Sequence, residues 1–386
     1  MQIWALFWHI RTLTDQPIAL GGIGLARIAP VIVFSLIGGA AADSYNRRKI
    51  MFLTQSSAAL VALALGLLTQ FGHITLWHIY ALTAIQAVAV AFDGPARQAL
   101  IPNLVPAKEL PNAFSLTSMA FQAGAVIGPV LTGFVIAFGG QQAAYYINAI
   151  SFLAVIIALF LIGDVPQKIA ATTNGISMTA IREGISFIVN HPIILSTMLL
   201  DFVATFFASA NTLMPIVARD MLHVGVVQYG WLSASQSVGA VLAAVFISQV
   251  PELRRQGLLF LGAVVVFGAA TVVFGLSSSF ILAWIALAVT GAADAVSTII
   301  RNTIRQLQTP DAIRGRMTSV NQIFFQGGPQ LGEIEAGVAA QIFGAPFAII
   351  SGGIGCVLGM MLIVHKWPQL TAYNGDEPGL AGATAD

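Results

Sequence analysis

Several ionisable side chains lie inside long apolar stretches of the chain, where a charge needs a physical reason. They are Arg27, Asp93, Asp201, Asp294, Glu333 and Glu335. A charged side chain at bilayer depth costs about 2.5–3.5 kcal/mol on insertion scales, and such residues mark ion and proton pathways or static pairs between helices. We therefore interpret this set as candidates for a substrate or proton pathway.

Two of these acids lead to different interpretations. Asp93 lies four residues before Arg97, a spacing that also suits a static ion pair on one helix. Asp201 lies inside an apolar run with no cation at that spacing. Because burial favours the neutral form of a carboxyl group, Asp201 is the better candidate for a proton carrier.

The elements that hold these residues are set by composition. Of 386 residues, 57% are hydrophobic and 9% charged, and the mean hydropathy is +0.84. Soluble domains carry about 25% charged residues, so this composition indicates a bilayer. The net charge of +1 suggests no nucleic-acid partner. Cys356 is the single cysteine, and the sequence has no metal-ligand, disulfide, catalytic-triad or phosphate-loop pattern, so we expect no cofactor and no enzyme.

The apolar runs predict an all-α protein with two bundles of six spanning helices each. A spanning helix needs about 20 residues, so Ile3–Ile10 is interpreted as the distal half of a truncated helix 1. The remaining predicted spans are Ile18–Ala42, Ile50–Phe71, Leu76–Phe92, Ala113–Phe138, Ala143–Gly163, Ile193–Val217, Val226–Val250, Leu258–Leu276, Phe280–Ile300, Met317–Phe343 and Pro346–His365.

These spans predict domains at 1–163 and 193–367, joined by a cytoplasmic linker at 164–192. In the linker, Ile181, Ile185 and Ile188 recur at helical spacing over Met178–Val189, which favours a helix on the membrane surface. Residues 368–386 are expected to form a disordered tail.

The basic residues predict the orientation of the helices. All of the 17 lysines and arginines except Arg11, Arg27 and Arg219 fall in the connectors after every second span or in the C-terminal tail. The positive-inside rule therefore places those connectors and both termini in the cytoplasm.

The chain also contains an internal repeat. Residues 97–140 align without a gap on residues 301–344. The first copy carries Arg97, Pro106, Ser115, Phe121, Gln122, Gly124, Gly128, Gly133 and Gly140, and the second carries Arg301, Pro310, Ser319, Phe325, Gln326, Gly328, Gly332, Gly337 and Gly344. A six-helix unit used twice in the same orientation is typical of one architecture of secondary transporters.

Two motifs carry a family resemblance. Gly39, Asp43, Arg47 and Arg48 form a Gly-x-x-x-Asp-x-x-x-Arg-Arg pattern between two spans, and Gly124, Gly128, Pro129 and Gly133 recur at four- and five-residue spacing in a later one. Both resemble motifs of the major facilitator superfamily, the second being shared by its antiporters. Further stretches resemble its branch of enterobactin and drug exporters, namely Phe92–Gln98, Leu213–Pro215, Ala218–Asp220, Arg314–Arg316 and Gly332–Gly337.

The chain departs from that family at two places. Thr132 stands where glycine is usual, and Thr83 and Ala84 occupy the region in which many members carry an arginine.

The resemblance implies a major facilitator fold, with both motifs acting in gating. Asp43 should meet the start of the eleventh helix near Met317 when the cytoplasmic side is closed. The Gly124–Gly133 segment should bend and seal the substrate path. Close helix packing alone also explains those glycines.

The resemblance further implies that Arg27 faces the eleventh helix. Glu333 and Glu335 lie about 200° apart around a helix, so only one can pair with Arg27. We expect Glu333, which aligns with Pro129 in the repeat, to do so in one access state. The alternative is that Arg27 reaches the interface and both glutamates bond to backbone.

Together these features predict an exporter of a hydrophobic or amphipathic small molecule, such as a siderophore or a drug. We expect a monomer in the bacterial inner membrane, coupled to protons and working by alternating access. An uptake symporter and a non-transporting or inactive truncated membrane protein are the alternatives.

Overall fold

The computed structural model describes residues 1–163, 165–167, 178–208, 210–250 and 254–375. In the predicted linker, residue 164 and residues 168–177 lie outside the described residues, as do residues 376–386 of the predicted tail.

The described residues form helices and connecting turns, without a β-strand among them. The helices are α1 (Gln2–Leu13), α2 (Pro17–Ser44), α3 (Arg47–Gln70), α4 (Leu76–Leu104), α5 (Leu110–Ile162), α6 (Met178–Asn190), α7 (Pro192–Phe207), α8 (Met214–Ile216), α9 (Val226–Ser248), α10 (Gln256–Leu276), α11 (Phe280–Leu307), α12 (Asp311–Phe343), α13 (Ala345–Lys366) and α14 (Gln369–Ala372). In this part of the chain, nine helices are long and apolar enough to cross a membrane.

Two glycines at equivalent positions of the repeat divide long helical stretches. Gly140 has φ 72° inside α5, and Gly344 has φ 88° between α12 and α13. Positive φ is the left-handed region that glycine enters at little cost. The two glycines therefore separate consecutive helices, as the predicted boundary between Phe138 and Ala143 requires.

The chain divides into two compact units. Unit 1 comprises Met1–Ile176 with Gly225–Ala234, and unit 2 comprises Ser177–Val224 with Ser235–Asp386. Helix α9 is thus shared, its first turns belonging to unit 1. The predicted domain limits of 163 and 193 stay a prediction.

In unit 1, helix α4 packs on α2 and α3, and α5 packs on α3 and α1. Small residues permit the close approach: a Cβ on Gly38 would collide with the carbonyl group of Ala91 on α4. One apolar cluster joins the helix ends around Ala42, Met51, Ala96, Leu100 and Leu159. This cluster anchors the polar segment between α2 and α3.

In unit 2, α10 packs on α11 and α13, and α7 packs on α12 and α13. The core between them includes Leu200, Phe260, Ile304 and Cys356, all fully or almost fully buried. The linker helix α6 packs on α12 and completes a second cluster through Ile188.

The predicted start of the disordered tail at residue 368 was wrong, because the residues directly after α13 are part of this core. Leu370 and Tyr373 are 0% and 2% exposed, and the Gly257 amide at the start of α10 donates to the Tyr373 carbonyl at 2.9 Å. We name residues Gln369–Tyr373 the C-terminal clasp. It closes the first turn of α10, where backbone amides lack partners within the helix.

Several predicted boundaries were wrong. Helix α4 does not end at Phe92 but continues to Leu104, through the segment interpreted as a polar connector. Helix α11 continues past Ile300 to Leu307, and α12 begins at Asp311 after Pro310 rather than at Met317. Arg97 and Arg305 in these segments are paired within the fold, which offsets the cost that hydropathy alone assigns to them.

The predicted span Ile193–Val217 is also interrupted. Helix α7 ends at Phe207, and a 3₁₀ turn, the short α8 and a π turn over Val217–Met221 follow. Pro215 lies in this segment, and proline removes a helical hydrogen bond and clashes with the preceding turn.

Candidate functional site

A buried charge cluster joins α7 and α11 in unit 2. Asp201 Oδ1 lies 2.8 Å from Arg301 Nη1, and Asp294 Oδ1 lies 3.6 Å from the same nitrogen. The Asp201 and Arg301 side chains are 1% and 3% exposed, whereas that of Asp294 is 47% exposed. Asp294 and Arg301 are two helical turns apart on one face of α11, so one guanidinium reaches carboxylates from two helices.

The cluster has few other hydrogen bonds. Arg301 Nη1 lies 3.1 Å from the Ser297 hydroxyl oxygen, to which it donates. Within the described residues, neither oxygen of Asp201 accepts a hydrogen bond and Arg301 Nε has no acceptor. The ion pair is therefore the main compensation for burying Asp201.

Arg305 lies one turn further along α11 and has its own partners. Its Nε donates to the Arg301 carbonyl at 3.0 Å and its Nη2 to the Asn302 side chain at 2.7 Å. Its Nη1 contacts Asn321 on α12. Arg305 is thus held in place while it adds positive charge near Asp201.

A small cavity opens beside the cluster, entirely within unit 2. Its lining combines apolar side chains of α7 and α10 with polar ones of α7 and α11: Ala204, Thr205, Val264, Phe267, Asp294, Ser297 and Arg301. The half-exposed side chain of Asp294 is one of its lining residues.

Asp93 in unit 1 has a different environment. Its Oδ1 accepts hydrogen bonds from Thr54 Oγ1 at 3.0 Å and from Gln55 Nε2 at 2.7 Å, and its Oδ2 contacts Arg97. Three donors thus satisfy this carboxylate. This contact agrees with the static ion pair considered for Asp93 and Arg97.

The sequence interpretation was wrong about Arg301 and Arg305. It placed both in a cytoplasmic connector, but they are 2% and 3% exposed inside unit 2. Arg301 aligns with Arg97 in the repeat, and Ser297 takes the position of Asp93. Asp294 and Arg301 are two helical turns apart in the sequence, and this spacing could have indicated that they share a helix face.

The basic motif closes helix ends within unit 1. Arg47 Nε donates to the Ala42 carbonyl at 3.1 Å, and its Nη1 donates to Ala99 and Asn103 at 3.0 and 2.8 Å. Arg48 reaches carbonyl oxygens in the last turn of α5. Gly39 lies in α2.

The side chain of Asp43 is outside what the structure describes. Its predicted contact near Met317 stays a prediction.

The glycines of the α5 motif differ in how closely other atoms approach them. A Cβ on Gly133 would lie 2.7 Å from the Val226 carbonyl oxygen and 3.2 Å from Gly230 Cα, whereas one on Gly124 would meet no atom within 4 Å. At Gly128 the nearest atom would be the Met1 nitrogen at 3.3 Å. Pro129 lies inside the continuous helix between them. Close packing therefore explains Gly133 but not Gly124.

The remaining candidate charges lie in different units. Arg27 is half-buried in α2 of unit 1, while Glu333 is 6% exposed and Glu335 half-buried in α12 of unit 2. The buried Oε2 of Glu335 has no hydrogen-bond partner among the described residues. The predicted pairing of Arg27 with Glu333 stays a prediction.

Across the described part of the chain, histidine, cysteine and acidic residues form no group of three or more that could hold a metal ion.

Apolar spanning helices, a repeated six-helix unit and buried charges define a multi-pass membrane transporter rather than an enzyme. The chain belongs to the transmembrane secretion effector family of the major facilitator superfamily, whose family model matches residues 1–377.

Relatives with curated names agree with this assignment. The chain is 27% identical over 349 residues to the enterobactin exporter EntS of Citrobacter koseri, which covers 90% of this chain and 83% of that protein. It is 26% identical over 350 residues to EntS of Escherichia coli O157:H7, covering 88% and 83%. These relatives support transport and efflux.

Solved structures agree on the fold. A peptide transporter of the POT family matches with a TM-score of 0.72 at 11% identity, covering 96% of this chain and 92% of that one. A bacterial homologue of the human lysosomal transporter Spinster, in an inward-facing and occupied conformation, matches with a TM-score of 0.66 at 16% identity, covering 96% and 93%. The prediction of an all-α membrane protein with a major facilitator fold is confirmed.

Proposed function

We propose that this protein exports a hydrophobic or amphipathic small molecule across the bacterial inner membrane by alternating access, in exchange for protons. The similarity to enterobactin exporters supports the direction and suggests a siderophore or a drug as cargo. The antiporter-like glycine motif in α5 supports the same direction.

The observation that carries proton coupling is the environment of Asp201. It is buried in an apolar helix, it has one cationic partner at 2.8 Å, and its carboxylate accepts no hydrogen bond from the described residues. An opposite charge at this distance favours the charged form of a carboxyl group, and burial without such a partner favours the neutral form. A buried carboxyl held by one close ion pair suits a carrier that takes up and releases a proton during each cycle.

Asp93 makes a useful contrast. Its carboxylate accepts hydrogen bonds from Thr54 and Gln55 and contacts Arg97, so it keeps two partners when one moves away. We therefore assign Asp93 to the framework of unit 1 and Asp201 to proton transfer.

The test uses the full chain, purified and reconstituted into proteoliposomes, with enterobactin and the cationic dye ethidium as probes. An imposed proton gradient should drive movement of at least one probe against its concentration gradient, and a protonophore should stop it. Asp201→Asn should abolish gradient-driven movement while downhill movement remains. Glu109→Gln, a remote carboxyl substitution in unit 1, is the control.

Other outcomes contradict the proposal. Probe movement in the same direction as protons would indicate uptake symport. No movement of either probe by well-folded protein would support the non-transporting alternative. Gradient-driven movement that persists in Asp201→Asn would remove Asp201 from the coupling.

A further inference from the structure

We propose that the end of unit 2 at which α10 begins and α13 ends binds an anionic phospholipid of the surrounding bilayer. We name Arg254, Arg255 and Lys366 the basic corner. These cations hold the lipid phosphate, and the acyl chains lie along the two helices. The site concerns the bilayer and depends neither on the cargo nor on proton coupling.

The packing of α10 on α13 brings the basic corner together. A Cβ on Gly275 of α10 would lie 2.8 Å from the side chain of Ile350 on α13. Three turns earlier on α10, the carbonyl oxygen of Val264 lies 3.9 Å from Cys356 Sγ, which donates to it. The two helices are therefore antiparallel, and the start of α10 lies beside the end of α13. The C-terminal clasp, which follows α13, fixes this end through its hydrogen bond with the Gly257 amide.

The three cations of the basic corner are exposed, and the helices that carry them offer no acid. Within the described residues, Arg255 and Lys366 form no salt bridge. The sequences of α10, α13 and the clasp contain no aspartate or glutamate. The acids nearest to these elements in the sequence, Glu252 and Asp376, lie outside the described residues. The basic corner is therefore a positive surface built from α10 and α13.

Exposed apolar side chains lie within about one helical turn of these cations on both helices. They are Leu258 and Leu259 on α10, and Met361 and Leu362 on α13. Both helices are long and apolar enough to cross a membrane, so these side chains face lipid acyl chains. Long basic side chains at the end of such a helix lay their apolar stems along it and extend their charged heads to the interface. The surface therefore combines acyl-chain contacts with cations at the depth of the headgroups.

Arg255 has a backbone conformation that disfavours an arginine. It precedes the first residue of α10 with φ 55° and ψ 45°, in the left-handed region that glycine and asparagine enter more readily. Strain of this kind points to a gain elsewhere that offsets it. A guanidinium binds a phosphate through two parallel hydrogen bonds, and the described part of the chain provides no carboxylate in that role. A lipid phosphate supplies the missing gain.

The side chain of Trp367 marks the depth of the interface. It directly follows Lys366, whose Nζ lies 4.8 Å from the centre of the indole ring. This cation–π contact restricts the ammonium group. Because tryptophan favours the boundary between acyl chains and water, Lys366 is held at the level of the lipid phosphates.

These features favour an anionic lipid over a zwitterionic one. Phosphatidylglycerol carries one negative charge, whereas the choline group of phosphatidylcholine brings a positive charge towards the same cations. Each basic residue at a membrane surface strengthens association with anionic lipid by about fivefold. The site therefore takes a phosphodiester with two acyl chains and an uncharged headgroup alcohol.

The test counts bound lipids by native mass spectrometry of the purified full chain in an uncharged detergent. Phosphatidylglycerol or phosphatidylcholine with the same acyl chains is added at equal concentration. We expect the wild type to retain phosphatidylglycerol at least about fivefold more tightly, and Arg255→Gly and Lys366→Gln each to weaken that binding by about fivefold. Lys108→Gln, which removes an exposed lysine of unit 1, is the matched control and should bind like the wild type.

Thermal unfolding separates lipid binding from folding. Without added lipid, Arg255→Gly should melt at the temperature of the wild type or above it, because glycine relieves the positive φ. Phosphatidylglycerol should raise the melting temperature of the wild type more than that of Arg255→Gly, and phosphatidylcholine should not distinguish the two.

Three results overturn the inference. They are equal retention of the two lipids by the wild type, undiminished phosphatidylglycerol binding in Arg255→Gly, and an equal loss in Lys108→Gln, which would indicate attraction by surface charge in general. Displacement of the lipid by glycerol 3-phosphate at equal concentration would assign the corner to a free phosphate ester and would also refute a lipid site.

Discussion

Arg48 Nε donates a hydrogen bond of 2.6 Å to the carbonyl oxygen of Leu159, and its Nη2 reaches the next carbonyl, that of Phe160, at 3.2 Å. Both carbonyls lie in the last turn of α5, where helix carbonyls lack internal partners and carry partial negative charge. The basic motif is thus also a helix cap that ties α3 to α5. Its conventional interpretation as a topology signal is compatible with this second role.

Replacement of this cap should destabilise unit 1. We expect Arg48→Gln to cost about 1–3 kcal/mol, because it removes charge-assisted hydrogen bonds to the Leu159 and Phe160 carbonyls, of which only that of Phe160 keeps another donor, the Gly163 amide. Lys49 is exposed, so Lys49→Gln is the matched control that removes an adjacent positive charge. Thermal unfolding in detergent measures both variants. Equal melting temperatures for the two would show that Arg48 acts only through its charge.

The glycine motif of α5 offers a sharper comparison. Gly133→Ala should cost about 1–3 kcal/mol, because the added methyl group overlaps the Val226 carbonyl and the backbone must separate. Gly124→Ala adds its methyl group to open space and should be neutral or stabilising by up to about 1 kcal/mol. The measurement is again thermal unfolding, with transport assayed alongside. A larger loss in Gly124→Ala would indicate that its role is conformational rather than structural.

The environment of Asp93 predicts a stability defect. Asp93→Asn should destabilise the protein by about 1–3 kcal/mol, because an amide cannot accept the hydrogen bonds of Thr54, Gln55 and Arg97 together. Its remaining activity per folded molecule should retain the wild-type dependence on the proton gradient. If the variant is normally stable but loses that dependence, Asp93 belongs to the proton pathway.

The linker helix α6 should detach when its buried face is made polar. Ile188 is 3% exposed, in a cluster with Ile194, Met198 and Met317, whereas Ile185 is 47% exposed on the same helix. We expect Ile188→Ser to cost about 2–5 kcal/mol and to open the linker to limited proteolysis, with Ile185→Ser close to wild type. Identical digestion patterns would mean that α6 is not held by this face.

Apolar length and the repeat predicted most of the fold correctly. Gly140 and Gly344 were aligned from the sequence, and both have positive φ at a boundary between helices. Helix ends were predicted less well, because hydropathy assigns a cost to each polar residue before its partner is known. Asp93 and Arg301 each lie beyond a predicted helix end and yet remain inside a helix, paired with side chains on another one.

The candidate site was predicted only in part, again because hydropathy treats each polar residue without its partner. Asp201 and Asp294 were recognised because each interrupts an apolar run. Arg301 was missed because an arginine next to a predicted helix end resembles an ordinary cytoplasmic charge. Only the packing of α7 against α11 shows that Arg301 serves both acids, and no single-helix pattern contains that information.

The C-terminal clasp has a consequence for biosynthesis. The Gly257 amide donates to the carbonyl of Tyr373, which is translated more than a hundred residues later. Helix α10 therefore enters the bilayer with its first turn incomplete and must wait for the chain beyond α13. If translation stalled before Tyr373, the start of α10 would lack this hydrogen bond. We expect that end of the helix to be more accessible to quality-control proteases. Synthesis of the chain through Tyr373 is therefore needed before the first turn of α10 gains this hydrogen bond.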